Sequence, residues 1–384
     1  MKNSKCLFLL LILLTASFIS LEANKKHSLR ELYRAGKIRL IPALALDESS
    51  MPKEALFGVP VNVVEDSNGN IYVSDFKMHN IKKFDSLGRF SRLLGRMGQG
   101  PGEFNGPTLM TLAKNRLVVW EMGNSRLSSL TLDGVFLKSI ITPVTEGWPK
   151  KIRSLPNGDI VIDRFKSIRR PEYHEICSIE LYSPELEHKK TIYSKNVTLK
   201  KYITEPKRAS ILVPFPPNVH WDVSKDGKIV IGFSDKYLVE IYDSNGEKIN
   251  SFTHKRRPMK ISKQSKRLFI NRYVQSDSDG TRMEPPDYIV KNTIFPRYMP
   301  AFHGISVDSE NNILIGIYHK DGSILPNKFD AFNTEGNYIG TVEVTVDRPI
   351  VGYAPACFVG SYVWIPFEDD EEGTVEVVKY KISR

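Results

Sequence analysis

The sequence predicts an all-β fold, a six-bladed β-propeller in which antiparallel sheets of four strands surround a central channel. A strand–turn–strand pattern recurs along the chain with a period of about 45 residues. Asn, Asp and Gly cluster between the strands, where they favour tight turns. The last repeat has only three recognisable strands, whereas Lys37–Ile41 near the N-terminus is a strand without a repeat of its own. Adding that strand to the last blade closes the ring and removes exposed sheet edges.

The composition excludes several other classes of protein. Of the 384 residues, 41% are hydrophobic and 26% are charged, which is typical of a globular protein and excludes a disordered tail or a collagen. The chain has a single long apolar run, so it is not a multi-span membrane protein. Three cysteines are too few for a disulfide-stapled scaffold.

The N-terminus is typical of an export signal. Lys2 and Lys5 precede the apolar run Leu7–Leu21, which as a helix would span only about 22 Å of a hydrocarbon core about 30 Å thick. We therefore predict a cleavable secretory signal peptide over residues 1–23, and a periplasmic, cell-surface or secreted mature protein over residues 24–384. Retention of the signal as an anchor is the alternative, and after cleavage no transmembrane segment would remain.

The first repeat shows the blade pattern most clearly. Its predicted strands are Val61–Glu65, Ile71–Ser74, Ile81–Asp85 and Phe90–Leu94. The six predicted blades lie near residues 58–94, 106–140, 148–194, 218–253, 300–344 and 350–384, the last completed by the strand at 37–41. An insertion at 164–173 lies inside the third blade, and a basic connector, residues 254–299, separates the fourth blade from the fifth.

Residues 58–107 carry a family resemblance. The first repeat runs into Gly95-Arg-Met-Gly98-Gln-Gly100-Pro101-Gly102-Glu103-Phe104-Asn-Gly-Pro107, and the whole stretch resembles an NHL-type repeat. The chain as a whole resembles secreted bacterial six-bladed β-propellers. One further stretch is similar to that group, Phe295-Pro296-Arg-Tyr298-Met-Pro300-Ala-Phe302. The resemblance implies the fold, but it implies little about function because propellers host unrelated activities.

Candidate ligand-binding residues lie where the innermost strands begin, since propellers bind ligands at the channel mouth. Alignment of the repeats places Val61/Asn62, Thr108/Leu109, Lys150/Lys151, Val219/His220, His303/Gly304 and Ala356/Cys357 at this point. Asn62, Lys151, His220 and His303 are the polar candidates. His220 and His303 are offset by one position, so their side chains should lie on opposite strand faces, and a shared zinc ion would require a bulge.

Four aspartates also resemble family positions. Asp75 resembles the aspartate of the strand-to-loop corner, and Asp85, Asp133 and Asp243 resemble the aspartates that begin turns. We interpret them as caps of turn amides rather than as calcium ligands or catalytic groups.

The sequence favours binding over catalysis. NHL-type lyases use metal-binding histidines from several blades, and similar lactonases hold a divalent ion with acidic and amide groups. The channel positions here offer two histidines and no comparable carboxylates, whereas catalytic zinc normally takes three protein ligands. We therefore predict no catalytic residue, metal or other cofactor, and a monomeric module that recognises a protein, peptide or glycan. A metal-dependent lyase or hydrolase, with zinc or calcium at the channel mouth, is the alternative.

The net charge of +10 is concentrated in the basic connector. Residues 254–272 contain eight cations and no acid. These cations are Lys255, Arg256, Arg257, Lys260, Lys263, Lys266, Arg267 and Arg272. They predict a surface for an anionic polymer, a lipid headgroup or an acidic partner, with a short helix over Ser262–Tyr273. A solvated connector is the alternative, and export argues against nucleic acid as the partner.

Overall fold

The computed structural model describes residues 28–168, 174–198, 213–271, 285, 287–319, 327–347, 357–359, 362–368 and 375–383. The predicted signal peptide lies outside these residues. Within the described ranges, every helix is too short or too polar to cross a bilayer. The predicted fold is confirmed, because the described chain forms antiparallel sheets arranged as the blades of a propeller.

The described part of the chain begins with a short helix, α1 (Leu29–Arg34), and a long strand, β1 (Lys37–Asp47). Blade 1 contains β2 (Pro60–Glu65), β3 (Ile71–Asp75), β4 (Asn80–Phe84) and β5 (Phe90–Leu94). Blade 2 contains β6 (Pro107–Ala113), β7 (Arg116–Glu121), β8 (Arg126–Thr131) and β9 (Phe136–Ile141). Blade 3 contains β10 (Ile152–Ser154), β11 (Ile160–Ile168), β12 (His174–Tyr182) and β13 (His188–Thr198).

The second half of the chain repeats this arrangement. Blade 4 contains β14 (Val219–Val223), β15 (Ile229–Phe233), β16 (Leu238–Tyr242) and β17 (Lys248–Thr253). Two helices in the basic connector follow, α2 (Lys263–Asn271) and α3 (Asp287–Asn292). Blade 5 contains β18 (Gly304–Val307), β19 (Ile313–Gly316), β20 (Lys328–Phe332) and β21 (Tyr338–Thr345). Blade 6 contains β22 (Cys357–Val359), β23 (Tyr362–Glu368) and β24 (Val375–Ser383).

The N-terminal strand closes the ring, as the sequence predicts. β1 pairs antiparallel with β24 as the outer strand of blade 6, and its first residues also pair in parallel with β21 of blade 5. The strand continues to Asp47, beyond the predicted end at Ile41, because a β-bulge between Pro42 and Leu44 accommodates the proline. Both ends of the described chain are thereby tied into one sheet.

The insertion predicted in blade 3 begins as regular sheet. β11 and β12 remain paired out to Ile168 and His174, and β13 pairs alongside them as far as Thr198. Two backbone hydrogen bonds of 2.9 Å join Trp148 to Phe165 at the base of this extension. Cys177 is buried within the extended sheet, whereas the side chain of Cys357 lies outside the described part of the structure.

The blades are held by buried aliphatic and aromatic side chains packed between neighbouring sheets. In blade 1, a polar residue at the end of the second strand fixes the chain that enters the innermost strand. Asp75 accepts hydrogen bonds from the N–H groups of Gly58 and Val59, at 2.7 and 2.9 Å, and forms a buried 2.8 Å ion pair with Lys82. Asp75 is therefore a cap, as interpreted from the sequence.

The turn aspartates cap backbone amides with one exception. Asp85 and Asp243 each accept hydrogen bonds from N–H groups two and four residues further along the chain. Asp133 does not: its carboxylate forms a 2.8 Å ion pair with Lys83, and the hydroxyl of Thr131 accepts the turn hydrogen bond instead. The interpretation of Asp133 as a turn cap is therefore wrong, because the neighbouring threonine takes that place.

Candidate functional site

One end of the channel opens into a cavity of about 680 Å³, which we call the channel cavity. Its walls come from the start of the innermost strands of blades 1 to 5 and from the chain that enters blade 3. In blades 1 and 2 the pairing register shifts just after Pro60 and Pro107, where each innermost strand begins. These bulges release Val61 and Thr108 from the ladder, and both residues line the cavity.

Three of the four predicted polar candidates line this cavity. They are Asn62, Lys151 and His220. His303 does not line it, because its ring lies against Gly316 and 5.0 Å from the ring centroid of Tyr318. A Cβ atom at Gly316 would lie only 2.4 Å from the His303 ring, so the glycine is needed for this packing. The candidate position of His303 at the channel mouth is therefore corrected.

Lys151 forms part of the polar wall of the cavity. Its ammonium donates hydrogen bonds to the carbonyl oxygens of Trp221 (2.7 Å) and Ile305 (3.4 Å), so a side chain from blade 3 contacts blades 4 and 5. The neighbouring Arg153 donates a 3.0 Å hydrogen bond to Asp222, whose second oxygen accepts from the N–H of Val307. These contacts connect three blades through charge-assisted hydrogen bonds.

The buried carboxylate of Asp163 is also held by protein donors. It accepts hydrogen bonds from the N–H groups of Lys150 (2.6 Å) and Lys151 (2.8 Å) and from the indole of Trp221 (2.9 Å). Burial raises the pKa of Asp163 despite these donors. Asp163 thus repeats in blade 3 the capping role of Asp75 in blade 1.

His220 is held in the neutral form. Desolvation, together with smaller contributions from the nearby His303 and Lys151, lowers its pKa to about 3. Its ring centroid lies 5.5 Å from that of Phe302, and β14 and β15 pair without a bulge at this position. The local bulge that a shared zinc site with His303 would require is therefore missing from β14.

Aromatic residues also line the cavity. Trp148 is 43% exposed, and its ring centroid lies 5.8 Å from that of Trp120 in an edge-to-face arrangement. The ammonium of Lys150 lies 3.5 Å from the centroid of the Phe165 ring, a close cation–π contact. Lys150 forms no ion pair with any described residue.

Asn62 presents an unsatisfied polar atom in this cavity. The side chain is 7% exposed, and its Oδ1 atom is buried without a hydrogen-bond donor. A buried acceptor of this kind is unfavourable unless a ligand or water supplies a donor. The sequence identified Asn62 by position, but only the structure shows that its oxygen is unpaired.

The cavity does not fit the predicted metal alternative. Both carboxylates near it, Asp163 and Asp222, have their oxygens engaged by protein donors, and His303 faces elsewhere. Across the described residues, no three His, Cys, Asp or Glu side chains converge as a metal site. Zinc requires three or four such donors, and calcium requires six to eight oxygens.

The basic connector lies apart from the cavity walls. The predicted helix over Ser262–Tyr273 is described as α2 (Lys263–Asn271), while Arg272 and Tyr273 lie outside the described residues. Phe269 anchors α2 through ring contacts with Phe215 and Phe295, at 5.9 and 5.8 Å. Exposed cations without an ion pair to any described residue are Lys255, Arg257, Lys260, Lys263, Lys266 and Arg267.

Arg256 differs from the other cations of the predicted patch. Its guanidinium makes two hydrogen bonds of 2.5 Å to the fully buried carboxylate of Asp330, which also accepts hydrogen bonds from Tyr237 and Thr341. Its charge is therefore neutralised within the protein. The sequence predicts Arg256 as one of the cations of the patch, but it does not reveal this ion pair because Asp330 is distant in sequence.

A comparison with protein families agrees with the class of protein that the fold defines. Residues 52–148 match the model of the DUF5128 family, described as a 6-bladed beta-propeller. Together with the blade topology, this match defines the chain as a six-bladed β-propeller protein. A search of curated proteins gave no significant match.

Solved structures with similar folds come from several bacteria. A putative exported protein from Bacteroides fragilis has 12% identity and a TM-score of 0.49, covering 90% of this chain and 95% of that chain. Regucalcin from Agrobacterium tumefaciens, a calcium-binding protein, has 12% identity and a TM-score of 0.44, with coverages of 91% and 97%. Virginiamycin B lyase from Staphylococcus aureus has 12% identity and a TM-score of 0.41, with coverages of 90% and 99%.

Proposed function

We propose that this protein is an exported, non-catalytic binding propeller that recognises a protein, peptide or glycan ligand in the channel cavity. The proposal rests on one observation. An exposed aromatic wall lies beside an ammonium that has no ion-pair partner among the described residues. Trp148 and Lys150 supply these two features. Such a combination of apolar area and few polar groups is typical of ligand pockets.

The remaining ionisable groups support binding rather than proton transfer. Asp163 and Asp222 accept hydrogen bonds that hold the innermost strands in place. Lys151 donates to backbone carbonyls, and the pKa of His220, lowered to about 3 by desolvation, lies far from neutrality. A general acid or base works best when its pKa lies near the operating pH. The polar groups of the cavity therefore act as a rigid frame around the ligand.

The proposal of export rests on the basic residues and the apolar run at the N-terminus. We expect the full-length chain to appear outside the cytoplasm, and a variant lacking residues 2–23 to remain inside, because the apolar run is the element that a translocation machinery recognises. Fractionation of cells followed by immunoblotting measures this. Equal distribution of both forms would contradict export without affecting the cavity proposal.

Binding is tested with immobilised arrays of peptides and oligosaccharides. Probes retained by the wild-type protein should lose affinity by at least about tenfold in the variant Trp148→Ala, because exposed tryptophans carry much of the free energy of binding. Leu137→Ala is the matched control, since Leu137 is 44% exposed on β9 outside the cavity. Trp148→Phe should retain part of the affinity and show that loss of the ring, not misfolding, is responsible.

Two outcomes would overturn the proposal. Probes that bind Trp148→Ala as tightly as the wild type would show that recognition occurs elsewhere on the surface. A folded wild-type protein that retains no peptide and no oligosaccharide would reject the cavity as a ligand site. Thermal unfolding of each variant shows whether it is folded.

A further inference from the structure

The charged side chains of the channel cavity indicate the charge of its ligand. This inference rests on the proposed function. Three cations line the cavity, Lys150, Lys151 and Arg153, and two carboxylates accompany them, Asp163 and Asp222. Arg153 and Lys151 both approach Asp222, at 3.0 and 3.9 Å. Lys150 is therefore the surplus positive charge of the site.

The surroundings of Lys150 place this charge beside a flat apolar surface. Its ammonium lies over the ring of Phe165, whose backbone is hydrogen-bonded to that of Trp148. The ammonium and the exposed indole thus belong to the same wall, contributed by blade 3. An anion that also has an apolar face can contact both groups at once.

The unpaired oxygen of Asn62 favours a ligand that supplies a hydrogen-bond donor. Asn62 lies on blade 1, and its Oδ1 is buried and unpaired in the wall that this blade contributes to the cavity. The nearby hydroxyl of Thr108 donates to the backbone carbonyl of Trp120 at 3.4 Å, so it does not satisfy this oxygen. A ligand hydroxyl is a suitable donor for a neutral amide oxygen.

We propose that the channel cavity binds an acidic sugar, a pyranose that carries a carboxylate, within an oligosaccharide. The C–H face of the sugar ring stacks on Trp148, the carboxylate pairs with Lys150, and a ring hydroxyl donates to Asn62. A uronic acid brings a carboxylate, hydroxyl donors and an apolar face together in one ring. An acidic peptide supplies the carboxylate but has fewer hydroxyl donors for its size, and it is an outcome of the test.

The test uses galacturonate, glucuronate and mannuronate trisaccharides, each with its neutral methyl ester, measured by isothermal titration calorimetry. We expect at least one acid to bind about tenfold more tightly than its ester, since a charge-assisted hydrogen bond is lost on esterification. Lys150→Met should reduce acid binding to the level of the ester and remove its salt dependence. Lys138→Met, at an exposed lysine of β9, is the matched control.

Asn62→Leu separates a ligand-binding role from a structural one. The variant should lower the affinity for acid and ester alike by about fivefold, because a neutral hydrogen bond to the ligand is lost. It should leave the unliganded protein as stable as the wild type or more stable, since the change removes an unpaired buried acceptor. A structural role for Asn62 would give the opposite result, a lower melting temperature with unchanged affinity.

The outcomes distinguish failure of this inference from failure of the proposed function. Equal binding of acid and ester that is lost in Trp148→Ala would overturn the acidic-sugar inference and leave the cavity as a binding site. Binding of a Glu-terminated tripeptide, sensitive to Lys150→Met, without binding of any uronate would do the same. Absence of binding by the trisaccharides, the tripeptide and every array probe would overturn both.

Discussion

The channel cavity and the basic connector both carry several cations, but they hold their charge in different ways. In the cavity, Lys151 and Arg153 are fixed by carbonyl oxygens and by Asp222, so their charges connect blades. In the connector, cations such as Lys255 and Arg257 are exposed and form no ion pair with a described residue. Fixed, partly buried charges contribute to stability and specificity, whereas exposed ones are screened by salt.

Arg256 shows that its position in the sequence does not decide whether a connector cation is paired or exposed. It lies between two exposed cations, yet its guanidinium is paired with a fully buried carboxylate. One side chain therefore joins the connector to blade 5 while its neighbours face solvent. The predictions below use this contrast, in order of the effect expected on stability or its pH dependence.

The largest effect at pH 7 is expected for Arg256→Ala. The variant should lose about 2 to 3 kcal/mol of the free energy of unfolding, because it leaves the carboxylate of Asp330 buried without its cation. The estimate is at the low end for a buried pair because the Arg256 side chain is 35% exposed. Urea denaturation at pH 7 measures the loss.

The flanking cations provide the control for Arg256. Lys255→Ala and Arg257→Ala should each change stability by less than about 0.5 kcal/mol, since both side chains are exposed. Burial raises the pKa of Asp330, but hydrogen bonds and charge from Arg256 outweigh it and hold this pKa below its usual value. The stability from this pair is therefore present above about pH 4 and lost at lower pH, so wild type and Arg256→Ala should converge there. Equal losses in all three variants would contradict the special role of Arg256.

A separate effect, which develops only at acidic pH, is expected for the pH dependence of stability that His220 contributes. Desolvation lowers its pKa to about 3 in the folded protein, so the unfolded chain takes up the proton first as the pH falls below about 6.5. Stability should therefore decline between pH 6.5 and 3, by up to about 1.4 kcal/mol per pH unit for this one proton. His220→Asn should reduce that slope in urea titrations at several pH values.

The control for His220 is His188→Asn, at an exposed histidine of β13 outside the cavity. If His220→Asn has the same slope as the wild type, the histidine is not held neutral in the cavity. His303, whose pKa is lowered to about 4 chiefly by burial, adds to the same acid loss but is present in both proteins.

The smallest effect on stability is expected in the connector, where the anionic-partner patch stays a prediction. Replacing Lys263, Lys266 and Arg267 by Gln should change stability by less than about 0.5 kcal/mol per site, because all three are exposed. The same variant should bind dextran sulfate more weakly, with a smaller salt dependence, if the patch meets an anionic partner. The matched control replaces the exposed Lys77, Lys138 and Lys236 by Gln, and equal effects of the two triple variants would contradict a localised patch.

The repeat pattern was sufficient to predict the blades because each blade is a local unit. Turn residues and alternating hydrophobic residues lie close together in sequence, as around Asp85 and Gly88 in blade 1, so their pairing can be read from one short stretch. The closing strand was predicted for a different reason. A ring of sheets has no other partner for an incomplete last blade.

The candidate site was predicted in part. Position in the repeat identified Asn62, Lys151 and His220, because equivalent positions of equivalent blades face the same channel. Position in the repeat did not predict the placement of His303, because its ring packs against Gly316 and Tyr318 instead of lining the cavity. It also missed Trp148, which lies before the innermost strand of blade 3 and lines the cavity through its pairing with Phe165.

The sequence by itself determined the class of fold, the number and order of the blades, and the closure of the ring, because these follow from short-range periodicity and turn chemistry. Only the tertiary structure decided which charged side chains are paired within the protein and which can contact a ligand. Arg256 and Asp330 are 74 residues apart, and Lys151 and Ile305 are 154 apart, yet each pair is in hydrogen-bond contact. Contacts over such separations depend on how the blades close around the channel, and no local pattern in the sequence records them.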